Sequence, residues 1–243
     1  MSSATASSGA EQRPASAGEL QTIVAARSLA GKHSCFIGVG RPSTAAILAR
    51  MVHNPDLVLV YESGTIGAKP YHVPLSIGDG ELAETADFVV TVPEMFNYWI
   101  GPGRVQVAFL GAAQIDRHAN LNSTVIGDYD HPTTRLPGAG GAPEIAMGCP
   151  EVVVIAPHSP RTFVEKLDFL TTKGDHTTLA ITDLCVLERI DGELTLATLY
   201  PGVTVDQVQA ATGWALKVAG DLQTTPEATA EELSALRELL SRD

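Results

Sequence analysis

Basic residues are scarce in this sequence of 243 residues. Sixteen Lys and Arg stand against 28 Asp and Glu, which gives a net charge of −12 with neutral histidines. Nucleic-acid-binding proteins usually carry a basic stripe, and docking on an anionic membrane needs basic clusters, so we expect neither partner. No uninterrupted apolar run approaches the roughly 18 residues that a membrane span requires.

Cysteines are also few, and their spacing argues against two kinds of cross-link. The chain has three cysteines, Cys35, Cys149 and Cys185. Their number is odd, they are widely spaced, and no two of them form a C-x-x-C motif. This pattern disfavours a disulfide framework and a structural zinc site, so we interpret all three as small buried hydrophobic residues. The seven histidines show no metal-ligand spacing, and no G-x-S-x-G nucleophile elbow is present. We expect a reduced, cytoplasmic protein without a metal site.

Composition divides the chain into a short tail and one domain. Residues 1–17 are rich in Ser and Ala and have no apolar segment of the signal-peptide kind, so we predict a disordered tail. The remaining residues, 18–243, show no repeat and no linker. The 44% of hydrophobic residues in the whole chain is ample for a core.

Strand patterns and helix patterns alternate after residue 18. Residues 57–61 are all apolar, which is typical of a strand buried on both faces of a parallel sheet. Further apolar strand patterns cover residues 35–39, 105–110, 151–156, 179–182, 185–187 and 193–199, the last two pairing across Asp191-Gly192. Helical patterns cover residues 18–30, 42–52, 205–211 and 227–240. This order predicts an α/β fold with a single open, largely parallel sheet and helices on both faces.

The strand at residues 57–61 is followed directly by Glu62 and then by Ser63-Gly64. The carboxyl ends of strands are where ligands bind in open α/β sheets. A carboxylate there can serve as nucleophile, general base or metal ligand. A strand-end glutamate that simply faces solvent or a helix N-terminus fits the position equally well.

Residues 136–144, LPGAGGAPE, bring three glycines into four positions. Glycines let the backbone approach a ligand closely and direct its N–H groups at an oxyanion or a phosphate. The segment is neither a G-x-G-x-x-G fingerprint nor a Walker loop, because no G-K-[ST] follows. A tight turn without a ligand is the alternative interpretation.

A third segment, residues 111–129, is dense in amide, hydroxyl and carboxylate groups immediately after a predicted strand. It includes Gln114, Asp116, Asn122 and Asp128. Such residues line polar pockets, but they also form loops that satisfy their own hydrogen bonds through Asn and Asp turns. The residues alone favour neither interpretation.

Several blocks in the same order resemble the β subunits of class I coenzyme A transferases. They include GVGRPSTAAILAR, LVLVYESGTIGAKP, PLSIGDGELAETAD, FLGAAQIDRHANLNSTVIGDY and RLPGAGGAPEIA. The resemblance runs from about residue 18 to residue 240. The Y-E-S-G form of the second block is that of the oxoadipate branch, which is the nearer of the two, and of the glutaconate branch, where other branches have S-E-N-G.

The resemblance implies a fold of the CoA-transferase and phosphosugar-isomerase kind, and a role for particular residues. It implies that Glu62 is the nucleophile and that the backbone of Gly140 and Gly141 binds the oxyanion. We assign substrate and coenzyme A contacts to five further residues, Ser63, Gly64, Gly138, Gln114 and Asn122.

The resemblance implies a reaction that moves coenzyme A from an acyl-CoA to a 3-oxo dicarboxylic acid, such as 3-oxoadipate in aromatic catabolism. We expect the acyl-CoA to be succinyl-CoA. The reaction proceeds through a glutamyl–CoA thioester and needs no cofactor, because coenzyme A is itself a substrate. Alternatives are a glutaconate-type transferase, an acyl-CoA or ring-opening hydrolase on the same scaffold, and a silent subunit that only stabilises its partner.

The resemblance also implies a separately encoded α subunit, in a heterodimer or a larger hetero-oligomer with the active site between the subunits. Because the substrates are anions and this chain is acidic, positive charge must come from that partner or from four local residues, Arg41, Lys69, Arg135 and Lys173. The connection between Leu170 and Ala180, with the sequence KGDHTT, is shorter than in similar proteins, which bears on the substrate entrance.

Overall fold

Pairing of short apolar strands sets the architecture, which a computed structural model describes for residues 13–242. The strands, numbered along the chain, are β1 (Ser34–Ile37), β2 (Val58–Tyr61), β3 (Thr65–Ile66), β4 (Phe88–Val89), β5 (Val107–Leu110), β6 (Gln114–Ile115), β7 (Leu121–Asn122), β8 (Val125–Gly127), β9 (Pro132–Arg135), β10 (Glu151–Ile155), β11 (Thr177–Ile181), β12 (Cys185–Ile190), β13 (Glu193–Leu199) and β14 (Lys217–Thr224).

The helices lie between these strands and at the two ends of the described chain. They are α1 (Ala17–Arg27), α2 (Arg41–Val52), α3 (Gly80–Glu84), α4 (Val92–Glu94), α5 (Ala142–Gly148), α6 (Val205–Ala210) and α7 (Ala230–Leu240). A π-helical turn, Met95–Ile100, directly continues α4.

Ten strands form one sheet in the order β14-β13-β12-β11-β10-β5-β1-β2-β3-β4. The five central strands, from β11 to β2, all run parallel. Strands β3, β4, β12 and β13 extend this centre in antiparallel fashion, and β14 pairs parallel to β13. The predicted α/β fold with a largely parallel open sheet is therefore confirmed.

Helices cover both faces of the sheet, as predicted, because side chains alternate along each strand. In β1, Cys35 and Ile37 enter the core that α1, α2 and α7 cover. Phe36, between them, enters the second core, which α5, α6 and the π-helical turn cover. All three cysteines are buried and unpaired, as their apolar surroundings predicted.

One predicted hairpin is confirmed by the structure, and one strand was not predicted. Strands β12 and β13 form the predicted hairpin, and Asp191 and Gly192 take the positive φ angles of 52° and 82° that a tight two-residue turn requires. Strand β14 was not predicted. It is an edge strand whose residues are mostly exposed, so it carries no apolar pattern by which a strand is recognised.

The first described residues belong to the domain. Ser16 and Glu19 form a capping box that starts α1 at Ala17, and Arg237 of α7 donates to the backbone oxygen of Arg13 over 2.9 Å. The domain thus takes in residues 13–17, which the sequence assigned to the tail. The rest of that predicted tail, residues 1–12, lies outside the described residues.

The short connection KGDHTT reaches β11 at the amino end of the parallel strands. Thr177 of β11 lies beside Val152 near the start of β10. The segment thus enters β11 at the end of the strands opposite to the cavity described below, and its effect on a substrate entrance stays an expectation. Within residues 13–242, no helix combines the length and the apolar character needed to cross a membrane.

An ion pair between α1 and α7 closes the first core. Arg27 Nε lies 2.6 Å from Glu232 Oε1, and Arg27 Nη2 lies 2.7 Å from Glu232 Oε2. Burial opposes the charge of Glu232, but the Arg27 guanidinium and the Thr229 cap outweigh it and lower the pKa of Glu232 from 4.5 to about 2. The carboxylate form therefore stabilises the fold above about pH 4.5, and that contribution is lost as the pH falls towards 2.

We predict that Glu232→Gln lowers the free energy of unfolding by about 2 kcal/mol at pH 7, because Arg27 loses its charged partner. The difference from the wild type should shrink as the pH falls from about 4.5 towards 2. Urea unfolding across this pH range measures it. Glu231→Gln, an exposed carboxylate in the same helical turn, is the control and should change little. A difference that does not depend on pH would contradict the prediction.

Candidate functional site

The carboxyl ends of four parallel strands meet at one edge of the sheet and enclose a cavity of about 810 Å³. The chain passes from β1 to β2 on one side and later returns to β5 on the other side of β1. Such a reversal of strand order opens a crevice at the strand ends. Residues that follow β1, β2, β5 and β10 line the cavity, namely Gly38, Val39, Arg41, Pro42, Glu62, Gly111, Ala156 and Pro157, together with residues 137–142.

Glu62 reaches this cavity because β2 ends one residue before it and the chain then turns sharply. The N–H of Gly64 donates to the carbonyl of Tyr61 over 3.0 Å, and Gly64 adopts a φ of 100°. A Cβ on Gly64 would meet the backbone oxygen of Val90 at 2.0 Å, so glycine is required at this position. The turn leaves the Glu62 side chain half-buried at the cavity wall.

The strand beneath Glu62 is held by a buried hydroxyl pair. Tyr61 Oη lies 2.9 Å from Ser43 Oγ of α2, and burial raises the pKa of Tyr61 to about 12. Tyr61 is therefore neutral at physiological pH and anchors the end of β2 to α2. Ser63 lies outside the cavity lining, and its buried Oγ has no hydrogen-bond partner among the residues of the described chain.

The glycine segment forms the opposite wall. The backbone N–H of Gly138 donates to the oxygen of Ser123 over 2.8 Å, and the Ser123 hydroxyl donates back to the oxygen of Gly138. Gly138 therefore has no free N–H to offer. Among residues 13–242, the N–H groups of Gly140 and Gly141 meet no hydrogen-bond acceptor, so they remain available to a ligand.

Glu62 and Gly141 stand in direct contact. A Cβ placed on Gly141 would lie 2.9 Å from Glu62 Oε1 and 2.5 Å from Cζ of Phe96. Gly141 has an ordinary φ of −89°, so it is the lack of space and not the backbone angle that requires glycine. Gly140 is the reverse case, with a φ of 50° and nothing within 4 Å of a Cβ. Three of the predicted residues, Glu62, Gly140 and Gly141, are thus brought together.

Phe96 is a part of this arrangement that sequence reasoning missed. It lies in the π-helical turn MFNYWI, far from Glu62 in sequence, and only the tertiary structure brings its ring against Gly141. The aromatic and aliphatic residues of this turn indicate that it packs against the core, but they do not indicate that Phe96 lies beside Gly141. Phe96 and Glu62 together fill the space that a side chain at position 141 would need.

Gln114 and Asn122, predicted to bind substrate, do not line the cavity. Both are buried, and Asn122 Nδ2 donates to Gln114 Oε1 over 2.7 Å. Gln114 Nε2 donates to Asp168 Oδ2, and Asn122 Oδ1 accepts from the backbone of Thr124. Their amides are occupied in joining the strand pair β6–β7 to neighbouring loops. In the described chain these two residues shape a loop, and their role in substrate binding stays a prediction.

Among residues 13–242, one basic side chain lines the cavity. Of the four basic residues that the sequence offered, Arg41 alone is among the lining residues. Lys69 forms an ion pair with Asp87, and Arg135 lies 4.9 Å from the ring centroid of Tyr129. Lys173 lies on the KGDHTT connection, outside the cavity lining.

Other titratable groups do not form a site of their own. No cluster of three or more His, Cys, Asp or Glu in residues 13–242 is arranged to hold a metal ion. His158 is buried and stacks on Phe163, and burial lowers its pKa to about 4, so it is neutral at physiological pH. A second cavity of about 590 Å³, beside α1 and α7, contains none of the predicted site residues.

Comparison with known proteins gives a consistent result. A family model described as Coenzyme A transferase matches residues 19–211. The chain is 52% identical to the B subunit of 3-oxoadipate CoA-transferase from Pseudomonas knackmussii, over 93% of this chain and 94% of that protein. It is 29% identical to the cholesterol ring-cleaving hydrolase IpdB subunit of Rhodococcus jostii, over 82% and 81% of the two chains.

The fold agrees with these matches. The crystal structure of glutaconate coenzyme A-transferase from Acidaminococcus fermentans superimposes with a TM-score of 0.87 at 27% identity, covering 93% of this chain and 95% of that chain.

The contrast between the two glycines leads to a prediction. Gly141→Ala should displace the Phe96 ring and the Glu62 carboxylate, because its Cβ has no room, and should lower the free energy of unfolding by about 1 to 3 kcal/mol. Gly140→Ala should cost about 1 kcal/mol for its positive φ and leave both side chains in place. Crystal structures and thermal unfolding of the two variants measure this. An unmoved Glu62 and Phe96 in Gly141→Ala would contradict it.

Proposed function

The chain belongs to the coenzyme A transferase family, and we propose that it is the subunit that carries the covalent carboxylate of a two-subunit enzyme. The enzyme transfers coenzyme A from succinyl-CoA to a 3-oxo dicarboxylic acid such as 3-oxoadipate. The observation that carries this proposal is the Glu62 carboxylate, which touches Gly141 in a cavity at the strand ends. The similarity to an oxoadipate-type subunit over almost the whole chain supports the choice of substrates.

In the first step, a carboxylate oxygen of Glu62 attacks the thioester carbonyl of the acyl-CoA. The carbon–sulfur bond breaks, coenzyme A leaves as the thiolate, and Glu62 becomes part of a mixed anhydride. The thiolate then attacks the Glu62 carbonyl of the anhydride and releases the donor acid. Glu62 now carries coenzyme A as a thioester, and no proton has been gained or lost.

The acceptor acid reverses these two steps. Its carboxylate attacks the glutamyl thioester, an anhydride forms again, and the thiolate attacks the acceptor's carbonyl to give the new acyl-CoA and free Glu62. Because every intermediate is an anhydride or a thioester, the energy of the original thioester is retained. The mechanism needs no resident cofactor, since coenzyme A is a substrate.

Each attack places negative charge on a carbonyl oxygen, either that of the bound acyl group or that of Glu62 itself. The unoccupied N–H groups of Gly140 and Gly141 lie on the wall that Glu62 contacts and can donate to that oxygen. A donor of this kind contributes roughly 10²- to 10³-fold to the rate. Gly138, whose N–H is bonded to Ser123, contributes by holding the loop in position.

The anhydride must be protected from water, and the cavity walls are suited to this. Apart from Glu62 and Arg41, the residues that line it are apolar side chains, prolines and glycines. Dry surroundings also favour the carboxylate as a nucleophile. Exposed Val39 lies at the rim, and we propose that the α subunit covers this open side.

A hydrolase is the second candidate, because one relative is named as a ring-cleaving hydrolase subunit. In a hydrolase, water would take the place of the acceptor carboxylate and the free acid would be the product. Glu62 favours transfer, since a carboxylate nucleophile stores the acyl group in an activated form that a second acid can accept.

We predict that Glu62→Ala and Glu62→Gln each lower the transfer rate by at least roughly 10³-fold, because the nucleophile is lost. The wild-type complex incubated with acyl-CoA should gain a thioester on the peptide that contains Glu62, detected by its mass or after borohydride reduction. Glu84→Gln, an exposed carboxylate outside the cavity, is the matched control. Wild-type transfer by Glu62→Ala would overturn the proposal.

We also predict that the isolated chain, although folded, has no transferase activity. Its cavity is open on one side and carries a single basic residue for anionic substrates. Co-expressed with an α subunit, it should transfer coenzyme A from succinyl-CoA to 3-oxoadipate in preference to glutaconate. Chromatography of the CoA esters measures this and also detects hydrolysis. Turnover by the isolated chain would contradict the need for a partner, and free CoA as the main product would favour the hydrolase.

A further inference from the structure

We propose that Arg41, held in position by Gln21, binds the distal carboxylate of the dicarboxylic substrates and so selects diacids over monoacids. This inference rests on the proposed function and goes beyond it by assigning a specificity residue. It starts from the charge pattern of the cavity, where one anionic and one cationic side chain stand among apolar groups and glycines.

The charge of Arg41 is available to a ligand. Within residues 13–242, Arg41 takes part in no ion pair, whereas the neutral amide oxygen of Gln21 accepts a hydrogen bond from its Nη1. A guanidinium has five N–H donors, so most of them stay free after this contact. Arg41 and Glu62 also form no ion pair with each other, which leaves both charges in the cavity unneutralised.

Gln21 is a buried anchor whose orientation is determined by its surroundings. It is fully buried on α1, and its Nε2 donates to the carbonyl oxygens of Ala156 and Ile181, each over 2.9 Å. Both amide hydrogens are therefore used at the ends of β10 and β11. The amide oxygen must point the other way, towards Arg41, and this holds the guanidinium against α1.

The position of Arg41 also fits a second carboxylate. Ile37 of β1 pairs with Tyr61 of β2, so Glu62 comes directly after the end of β2, beside Gly38. Arg41 begins α2 three residues farther along, and its guanidinium extends to α1, with Nη2 at 3.6 Å from where a Cβ on Gly18 would lie. Because Arg41 and Glu62 line the same cavity, we infer that one carboxyl group of a diacid reacts at Glu62 while the other meets Arg41.

Coenzyme A itself offers phosphate groups with the same charge, and the two sources predict different outcomes. If Arg41 binds a carboxylate, its loss weakens the binding of substrates with a second carboxyl group, such as succinyl-CoA and adipate. The binding of butyryl-CoA and hexanoate then stays unchanged. If Arg41 binds a phosphate of coenzyme A, its loss weakens the binding of every CoA ester to the same degree. The matched pairs differ only in the second carboxylate.

The experiment uses the complex with the α subunit and measures binding of adipate and hexanoate by calorimetry, together with KM for succinyl-CoA and butyryl-CoA. Arg41→Leu should weaken adipate binding and raise the KM for succinyl-CoA by about 10- to 100-fold, the usual range for a lost charged hydrogen bond. Hexanoate binding and the KM for butyryl-CoA should change little. Arg41→Lys should recover part of the loss, because it restores the charge without the planar guanidinium.

Arg161→Leu removes an exposed charge outside the cavity lining and is the matched control for general electrostatic attraction. Gln21→Met should weaken adipate binding in the wild-type background and have no further effect in Arg41→Leu, which a merely structural role would not produce. Thermal unfolding checks that each variant is folded.

Equal adipate binding in Arg41→Leu and the wild type would overturn the inference, and so would an equal rise in KM for both CoA esters. Because adipate binding requires no turnover, this result is separable from failure of the proposed function, which would appear as absent transfer by the wild-type complex.

Discussion

The close contact between Gly141 and Glu62 is the constraint on which the site depends. It exists because position 141 has no Cβ: one would lie 2.9 Å from Glu62 Oε1 and 2.5 Å from the Phe96 ring. Without a side chain at position 141, the glycine backbone and the Glu62 carboxylate come close together. The remaining features of this region, the turn at Gly64, the anchoring of Gly138 on Ser123 and the Tyr61–Ser43 bond, serve to hold those two walls together.

The parallel centre of the sheet explains why the cavity lies where it does. Four strands end at one edge, so the segments that follow them converge there although they are far apart in sequence. The antiparallel strands and the helices at the chain ends keep this centre in register. The Arg27–Glu232 pair belongs to this second group, since it joins α1 to α7 and thereby fixes the helix that carries Gln21.

The charge of this chain suggests which part of substrate binding belongs to it and which part belongs to its proposed partner. A chain of net charge −12 lines its cavity with one glutamate and one arginine. That composition suits a carboxylate nucleophile with a distant counter-charge for a small diacid. It does not suit the polyanionic body of coenzyme A, whose phosphates need several cations. We propose that the α subunit supplies the greater part of CoA phosphate binding.

The sequence by itself determined the fold class, the family and the place of Glu62, because apolar strand patterns and the Y-E-S-G and GAGG blocks are local signals. It did not show that the amides of Gln114 and Asn122 bond within the chain, since a buried amide looks the same in sequence whether its partner is Asp168 or a ligand. It also missed Phe96 and the exposed edge strand β14. Only the tertiary structure decided these points, and the link from Gln21 to Arg41, because contacts between distant segments depend on how strands and helices pack and leave no periodic pattern.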